Sequence, residues 1–104
     1  MSFAKTCRNI TIKGHTLHAE CFKKANGTYE ATHLDLDHYI GNDGGNFVMG
    51  GGGFSKTAAS VEVTANGHLF ASLRTGIDGK TTMASVDLNT YVKNDEGSLV
   101  WKSR

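Results

Sequence analysis

The sequence predicts an all-β protein built from two tandem repeats. Three observations predict this fold class: apolar and polar residues alternate in short segments, turn signals separate the segments, and the two halves of the chain align with each other. Alternation with a period of two is typical of half-buried strands, because successive side chains point to opposite faces of a sheet. No amphipathic pattern is long enough to predict a substantial helix.

Six segments carry the alternation and are predicted to be strands. In chain order they are Ile10–Lys13, Leu17–Cys21, Phe47–Met49, Val61–Thr64, Leu69–Leu73 and Leu99–Trp101. The turn signals between segments are Lys13-Gly14, Asn26-Gly27, Asn66-Gly67 and Asp78-Gly79. Asn-Gly and Asp-Gly suit hairpin turns because both residue types tolerate a positive φ.

An internal repeat relates the two halves of the chain. Residues 3–6 (FAKT) align with residues 54–57 (FSKT), and after one inserted residue 34–43 align with 86–95. The offset is 51 residues at first and 52 after the insertion. Trp101 aligns with the Phe47-to-Met49 segment, and these apolar residues are predicted to lie in the core.

Four consecutive glycines, Gly50 to Gly53, stand between the repeats. Such a run is unfavourable unless it has a role, because glycine loses the most backbone freedom on folding. A phosphate-binding loop would need a helix behind it, and a strand pattern follows instead. The run is therefore interpreted as a joint at 50–53 within one domain of residues 1–104, between repeat one (about 1–50) and repeat two (about 54–104).

Composition and charge exclude several classes of partner. The chain has 11 basic and 10 acidic residues and a formal net charge of +1, so it exerts no general electrostatic pull on nucleic acid or an anionic membrane. No apolar run approaches the roughly 18 residues of a membrane span. Residues 1–14 lack the apolar stretch of a secretory signal, so a cytoplasmic location or non-classical export is expected.

The two cysteines, Cys7 and Cys21, leave two alternatives open on spacing alone. A disulfide between neighbouring strands would close a loop of about 15 residues and contribute roughly 3 kcal/mol. Two buried free thiols would suit a cytosolic protein equally well. A metal site built on two cysteines lacks a partner pair and is not expected.

Two nearby carboxylates, Asp35 and Asp37, raise the possibility of glycosidase chemistry. Their repeat equivalents are Asp87 and Asn89, and an acid–base pair cannot exchange a carboxylate for an amide and keep its role. Asp37 and Asn89 are interpreted instead as N-caps of short turns. No catalytic residue is predicted. The five histidines show no converging metal-ligand pattern, so no metal and no cofactor is predicted either.

Three groups of residues form ordered motifs, namely Phe3–Asn9, Leu34–Asp37 with Gly41-Asn42, and Val86–Asn89 with Asn94–Gly97. These motifs resemble the cyanovirin-N homology domain, and the likeness is strongest to fungal members. The resemblance covers nearly the whole chain and recurs in both repeats. It implies that each repeat forms a three-stranded sheet and a hairpin with short 3₁₀ turns, interwoven so that each half takes strands from both repeats. It also implies a disulfide between Cys7 and Cys21, which would suit extracellular exposure.

The resemblance implies a metal-free lectin for mannose-rich glycans, on free oligosaccharides or glycoproteins, often through Manα1-2Man ends. Two clefts follow from the family pattern. The first combines Ser2, Lys5, Thr6, Phe22, Lys23, Lys24, Asn94, Asp95 and Glu96. The second combines Asn42, Asp43, Gly44, Ser55, Lys56, Thr57, Arg74 and Thr75, and it is slightly favoured because Thr57 and Arg74-Thr75 stay close to the pattern.

Three questions stay open in the sequence. A β-sheet interaction module that has lost its sugar sites is the alternative function. Some family members carry an inserted module at the position of the glycine run. The run is therefore either native, a remnant of such a module, or an engineered replacement for it. Family members can also exchange halves between chains, and a monomer is predicted here because four glycines let the chain fold back on itself.

Overall fold

Two three-stranded antiparallel sheets and two β-hairpins make up the fold. The structure is a computed structural model that describes residues 3–77 and 79–102. The strands are β1 (Cys7–Lys13), β2 (Thr16–Lys23), β3 (Thr28–Asp35), β4 (Ile40–Asp43), β5 (Asn46–Met49), β6 (Ala58–Val63), β7 (His68–Arg74), β8 (Thr81–Asp87), β9 (Val92–Asp95) and β10 (Ser98–Trp101). One helical turn, α1 (Phe3–Thr6), begins the described chain, and 3₁₀ turns span Leu36–His38, Phe54–Thr57 and Leu88–Thr90. None of these helical segments has the length or apolar character needed to cross a membrane.

The predicted fold class is confirmed. The sheets have strand orders β1-β2-β3 and β6-β7-β8, and the hairpins are β4-β5 and β9-β10. Each predicted strand lies within an observed one, except that Thr64 follows the end of β6. The turn predicted at Asp78-Gly79 includes Asp78, which lies outside the described residues. The alternation did not mark the strands β3, β4, β8 and β9, which the resemblance implied only as members of the sheets and hairpins. The helical turn α1 was not predicted.

The hairpin of each repeat packs against the sheet of the other repeat, as the resemblance implied. On one side the backbone N–H of Leu99 in β10 donates to Oγ1 of Thr32 in β3 over 3.1 Å. On the other side the turn of the β4-β5 hairpin approaches β8 so closely that a Cβ on Gly45 would lie 2.5 Å from Cγ2 of Thr82. Each half of the molecule is therefore built from both repeats.

Equivalent residues of the two repeats form the core. The fully buried pairs include Leu17 with Leu69, Leu36 with Leu88, and Ile40 with Val92. Cys7 and Cys21 pair across β1 and β2 and form the predicted disulfide. At the matching register of the second sheet stand Ala58 and Leu73, so the fully buried Leu73 side chain supplies packing where the first sheet has a covalent bond.

The prediction that Trp101, Phe47 and Met49 are core residues is wrong in detail, because all three are only half-buried at the edge of the core. The Trp101 ring lies between two tyrosine rings that are themselves repeat equivalents. Its centroid is 4.9 Å from that of Tyr39 and 5.4 Å from that of Tyr91, with nearly parallel planes. This aromatic stack joins the two halves of the molecule.

The glycine joint is hydrogen-bonded rather than a free tether. The N–H of Gly50 donates to the Tyr39 carbonyl over 2.7 Å, and that of Gly53 donates to the Asp37 carbonyl over 2.8 Å. Gly51 packs against Gly41, so that a Cβ on Gly51 would lie 3.2 Å from the Gly41 Cα. Close backbone approach therefore requires glycine here, in addition to the flexibility proposed from sequence.

Candidate functional site

The first predicted cleft is organised by the side-chain amide of Asn94 in β9. Its Nδ2 donates to Oγ1 of Thr6 and to the carbonyl of Phe22, each over 3.1 Å. Its Oδ1 accepts the N–H of Gly97 over 2.8 Å. Both amide donors are thus used inside the protein. Asn94 thereby holds the hairpin of repeat two against the N-terminal turn and the end of β2.

A cavity of about 560 Å³ opens beside this amide. Five of the predicted first-cleft residues line it, namely Thr6, Phe22, Lys24, Asn94 and Glu96. Phe3, Lys93 and Lys102 also line it and were missed by the sequence analysis. Lys5, Lys23 and Asp95 are not part of this lining, and Ser2 lies outside the described residues. The cavity has the size of a small-ligand site.

The second predicted cleft contains the same arrangement around Asn42 in β4. Its Nδ2 donates to Oγ1 of Thr57 over 2.8 Å and to the carbonyl of Arg74 over 2.9 Å. Its Oδ1 accepts the N–H of Gly45 over 2.8 Å. Each partner is the repeat equivalent of a partner of Asn94, so the two clefts are built by one repeated set of contacts.

The remaining predicted residues of the second cleft differ in their contacts and their exposure. Thr75 is held in its loop, where its hydroxyl lies 3.3 Å from both the Lys80 carbonyl and the Ile77 N–H. Asp43 and Gly44 lie at the hairpin turn beside this loop, and a Cβ on Gly44 would be 3.9 Å from the Thr75 carbonyl. Lys56 is exposed. The Ser55 hydroxyl donates to the Asp37 carboxylate.

The assignment of Asp37 and Asn89 as N-caps of the turns that follow them is wrong. Asp35 and Asp87 cap those 3₁₀ turns, accepting the N–H groups of Asp37 and Asn89 over 3.0 and 2.9 Å. Asp37 and Asn89 instead reach across the repeat boundary. Asp37 accepts the N–H of Ser55 over 3.0 Å, and Asn89 accepts the N–H of Ala4 over 3.1 Å. Their shared role is structural, as expected, but it serves the other repeat.

The sequence analysis also missed a cluster of polar groups around Asp35. His15 Nδ1 lies 2.6 Å from Asp35 Oδ1 and 3.9 Å from Asp37 Oδ2, and His38 Nε2 lies 3.3 Å from Asp35 Oδ2. Partial burial raises the pKa of Asp35, but hydrogen bonds from His15 and the Asp37 N–H outweigh it and bring the pKa below its usual value. One ligand atom from each of His15, Asp35 and Asp37 falls within 4.8 Å of the others. Asp35 caps its own turn and Asp37 is engaged by Ser55, so both carboxylates already have hydrogen-bond partners within the protein.

A second cavity of about 410 Å³ lies between β5 and β8. Its lining includes Phe47, Met49, Met83, Val86 and Tyr91. None of the predicted site residues that the structure describes lines it. In the other half the hydroxyl of Thr32 bonds the neighbouring hairpin strand, and the equivalent residue here is Ala84, which has no hydroxyl.

The comparisons with known proteins all relate this chain to the same domain family. The CVNH domain family matches residues 3–101. A cyanovirin-N homolog of Tuber borchii is 33% identical over 105 residues, covering 98% of this chain and all of that protein. The solution structure of the CVNH protein of Gibberella zeae is 38% identical, with a TM-score of 0.83 and 97% of each chain covered. Microvirin, solved in complex with mannobiose, is 25% identical, with a TM-score of 0.79 and coverage of 97% of this chain and 98% of that one. With motifs, fold and repeated clefts in agreement, the chain belongs to the CVNH domain family.

Proposed function

We propose that the protein is a metal-independent lectin that binds mannose-rich glycans through their Manα1-2Man termini. The observation that carries this proposal is the first cavity, where Thr6, Asn94 and Glu96 present polar groups beside the Phe22 ring. Hydroxyl, amide and carboxylate groups pair with sugar hydroxyls, and an aromatic ring packs against the apolar face of a pyranose.

Family membership supports carbohydrate binding and argues against an enzyme. The CVNH family consists of lectins, and its member Microvirin was solved with mannobiose bound. The position of Asp37 agrees with a binding protein, because its carboxylate is occupied by Ser55 and its repeat equivalent is the amide Asn89. The linkage preference and the choice of high-mannose glycoproteins as partners belong to this proposal.

The two clefts are expected to contribute unequally. The sequence favoured the second cleft, whereas the cavity and its side chains favour the first, so we propose the first as the stronger site. Each site alone is expected to be weak, because a hydrogen bond to a sugar hydroxyl contributes little beyond the water contact that it replaces. Two sites on one molecule would raise the apparent affinity for branched glycans through avidity.

An NMR titration of the ¹⁵N-labelled protein with Manα1-2Man in the presence of EDTA tests the proposal. Shifts of the Thr6, Lys24 and Asn94 amides are expected first, followed at higher sugar by those of Asn42, Thr57 and Thr75. Glu96→Ala should weaken the first set of shifts and leave the second in place. Asp43→Ala, at the tip of the other hairpin, is the matched variant and should do the reverse.

No shifts at millimolar disaccharide would overturn the mannoside proposal and favour a non-catalytic interaction module. Shifts that appear only after a divalent cation is added would overturn its metal independence. Release of free mannose would overturn the assignment as a binding protein. If the second set of amides responds at the lower sugar concentration, the second cleft is the stronger site.

A further inference from the structure

The first cavity is lined by more positively charged side chains than the nearly neutral net charge of the whole protein would lead one to expect. Among the described residues, three lysines, Lys24, Lys93 and Lys102, line it together with one carboxylate, that of Glu96. The full chain carries 11 basic and 10 acidic residues, so no general positive field accounts for this concentration. The excess positive charge is a local property of the cleft.

The repeat supplies an internal comparison for these four positions. With the offset of 52 residues that aligns the later parts of the two repeats, each of these four charged lining residues corresponds to a glycine. The pairs are Lys24 with Gly76, Lys93 with Gly41, Lys102 with Gly50, and Glu96 with Gly44. The contacts that build the two clefts, centred on Asn42 and Asn94, are the same. The clefts therefore share a frame and differ in charge at these four positions, while the second cleft carries cations of its own, Lys56 and Arg74.

The lysines are not all used for internal pairing. Lys102 donates to the carbonyl of Asn89 over 3.1 Å, which fixes its ammonium group without neutralising it. Lys24 and Lys93 are exposed, and no carboxylate lies within 4.0 Å of either ammonium group among the described residues. Glu96 accepts the backbone N–H of Ala25 over 3.2 Å, so a neutral group holds this carboxylate.

A ligand that suits these features combines a sugar ring with a negative charge. The ring can lie on Phe22 beside Thr6 and Asn94, while a phosphate or carboxylate substituent meets the ammonium groups. Hydrogen bonds between an ammonium and an anion are roughly twice as strong as those between neutral groups. A neutral sugar leaves the charges of Lys24 and Lys93 without a partner.

We infer that the first cleft prefers saccharides bearing an anionic substituent. This inference rests on the proposed carbohydrate binding and adds a ligand class to its first site. Phosphate monoesters and uronic acids share the required chemistry.

The test compares three methyl glycosides in NMR titrations at low salt: α-mannoside, α-mannoside 6-phosphate and α-glucuronide. At the first cleft the phosphate is expected to bind about tenfold more tightly than the neutral mannoside, and the ratio should fall to about twofold or less in 0.5 M NaCl because salt screens exposed charges. A glucuronide that also exceeds the neutral sugar would assign the preference to negative charge in general. A preference confined to the mannoside 6-phosphate would assign it to phosphate esters.

Each variant is compared with the parent by one quantity, the ratio of its affinity for the charged sugar to its affinity for the neutral sugar. The double variant Lys24→Gln with Lys93→Gln should lower this ratio to near one, and replacement of both residues by arginine should preserve it. Lys13→Gln with Lys80→Gln removes the same charge from outside the cavity and should leave the ratio unchanged.

The failure of this inference is distinct from the failure of the proposed function. Equal affinities for charged and neutral mannosides at the first cleft would overturn the anion preference and leave the lectin assignment intact. Absence of binding by all three sugars would overturn both. Inorganic phosphate that shifts the same amides with equal affinity would overturn the inference, because the site would then recognise an ion rather than a saccharide.

Discussion

The carboxylate of Asp37 caps the start of the second repeat by accepting the backbone N–H of Ser55, 18 residues further along the chain, over 3.0 Å. The Ser55 hydroxyl donates to the same carboxylate. In the pseudo-symmetric position Asn89 accepts the N–H of Ala4 over 3.1 Å. The carboxylate in one repeat and the side-chain amide in the other therefore have the same structural role, because both provide an oxygen acceptor.

Removing this acceptor should destabilise the protein. Asp37→Ala is expected to lower the free energy of unfolding by about 1–2 kcal/mol, since a helical N-terminus loses its cap and the Ser55 hydroxyl loses its acceptor. Asp37→Asn should cost less, because an amide oxygen can replace the carboxylate. Urea denaturation followed by fluorescence measures both changes, and an Asn variant as unstable as the Ala variant would contradict the capping role.

The reverse exchange, Asn89→Asp, should not be tolerated equally well. The Asn89 Nδ2 group donates to the Asn66 carbonyl over 2.8 Å and to Asp87 over 2.9 Å. A carboxylate at this position would face two acceptors and lose both bonds. The same denaturation assay should therefore rank Asn89→Asp below Asp37→Asn in stability.

Stability should decline in acid because of the two capping aspartates. The Asn89 N–H, with smaller contributions from the Asn89 side chain and His68, lowers the pKa of Asp87. The pKa of Asp35 is also lowered, since hydrogen bonds outweigh the effect of its partial burial. A folded-state pKa below the unfolded value contributes stability that is fully present above the unfolded pKa, about 3.9, and is lost as the pH falls through the folded pKa.

Thermal unfolding between pH 2 and 6 measures this dependence. The variant Asp35→Asn with Asp87→Asn keeps an acceptor at each cap but removes the titrating group. Its melting temperature should fall less steeply below pH 4 than that of the parent. Parallel curves for parent and variant would show that other carboxylates govern the loss.

The fold was predictable where the signal is local and repeated. Leu17 and Leu69 lie in alternating segments at matching positions, and both are fully buried in equivalent strands. The strand β3 gave no such signal, because it is an edge strand of largely exposed or half-buried residues. Its Thr32 hydroxyl is covered by Leu99 of the other repeat, a contact that no window around β3 reveals.

The geometry of the two predicted clefts followed from the family pattern only in part. The family pattern selected Asn42 and Asn94, and both do organise a cleft, yet their amide donors serve the protein itself. The spacing of Asp35 and Asp37 could not tell which carboxylate caps its own turn, since both have the same chemistry and the contact with Ser55 decides. Lys93 and Lys102 were detectable by comparison with Gly41 and Gly50, but only once the cavity showed that these positions share a site.

Reduction of the disulfide should destabilise the first sheet. Cys7 and Cys21 are separated by 14 residues, and opening such a loop is expected to lower the free energy of unfolding by roughly 3 kcal/mol. The variant Cys7→Ala with Cys21→Leu copies the Ala58 and Leu73 pair of the second sheet. It should recover part of the loss that Cys7→Ala with Cys21→Ala shows. Urea denaturation of the three proteins gives the comparison, and equal stability of the two variants would contradict the packing role assigned to Leu73.

A side chain at Gly41 should destabilise the protein, because the backbone of the glycine joint packs directly against this residue. A Cβ at this position would come within 3.0 Å of the Gly52 nitrogen and 3.3 Å of the Gly52 oxygen, both backbone atoms. Gly41→Ala is expected to cost about 1–3 kcal/mol through overpacking. Gly50→Asn is the matched variant, since nothing lies within 4 Å of a Cβ there and asparagine tolerates its φ of +89° better than other residues. A Gly41→Ala protein as stable as Gly50→Asn would show that the joint can move away.

The protein is predicted to be a monomer because the joint turns back on its own repeat. The N–H groups of Gly50 and Gly53 bond the carbonyls of Tyr39 and Asp37, which places Ser55 within reach of the Asp37 side chain in the same chain. Deletion of Gly51 and Gly52 should strain this return, and the same contacts could then form between two chains that exchange their second repeats. Sedimentation velocity at micromolar concentration should therefore give a monomer for the parent and a substantial dimer fraction for the deletion variant. A stable dimer of the parent would refute the prediction, and a strictly monomeric deletion variant would show that the joint does not control the exchange.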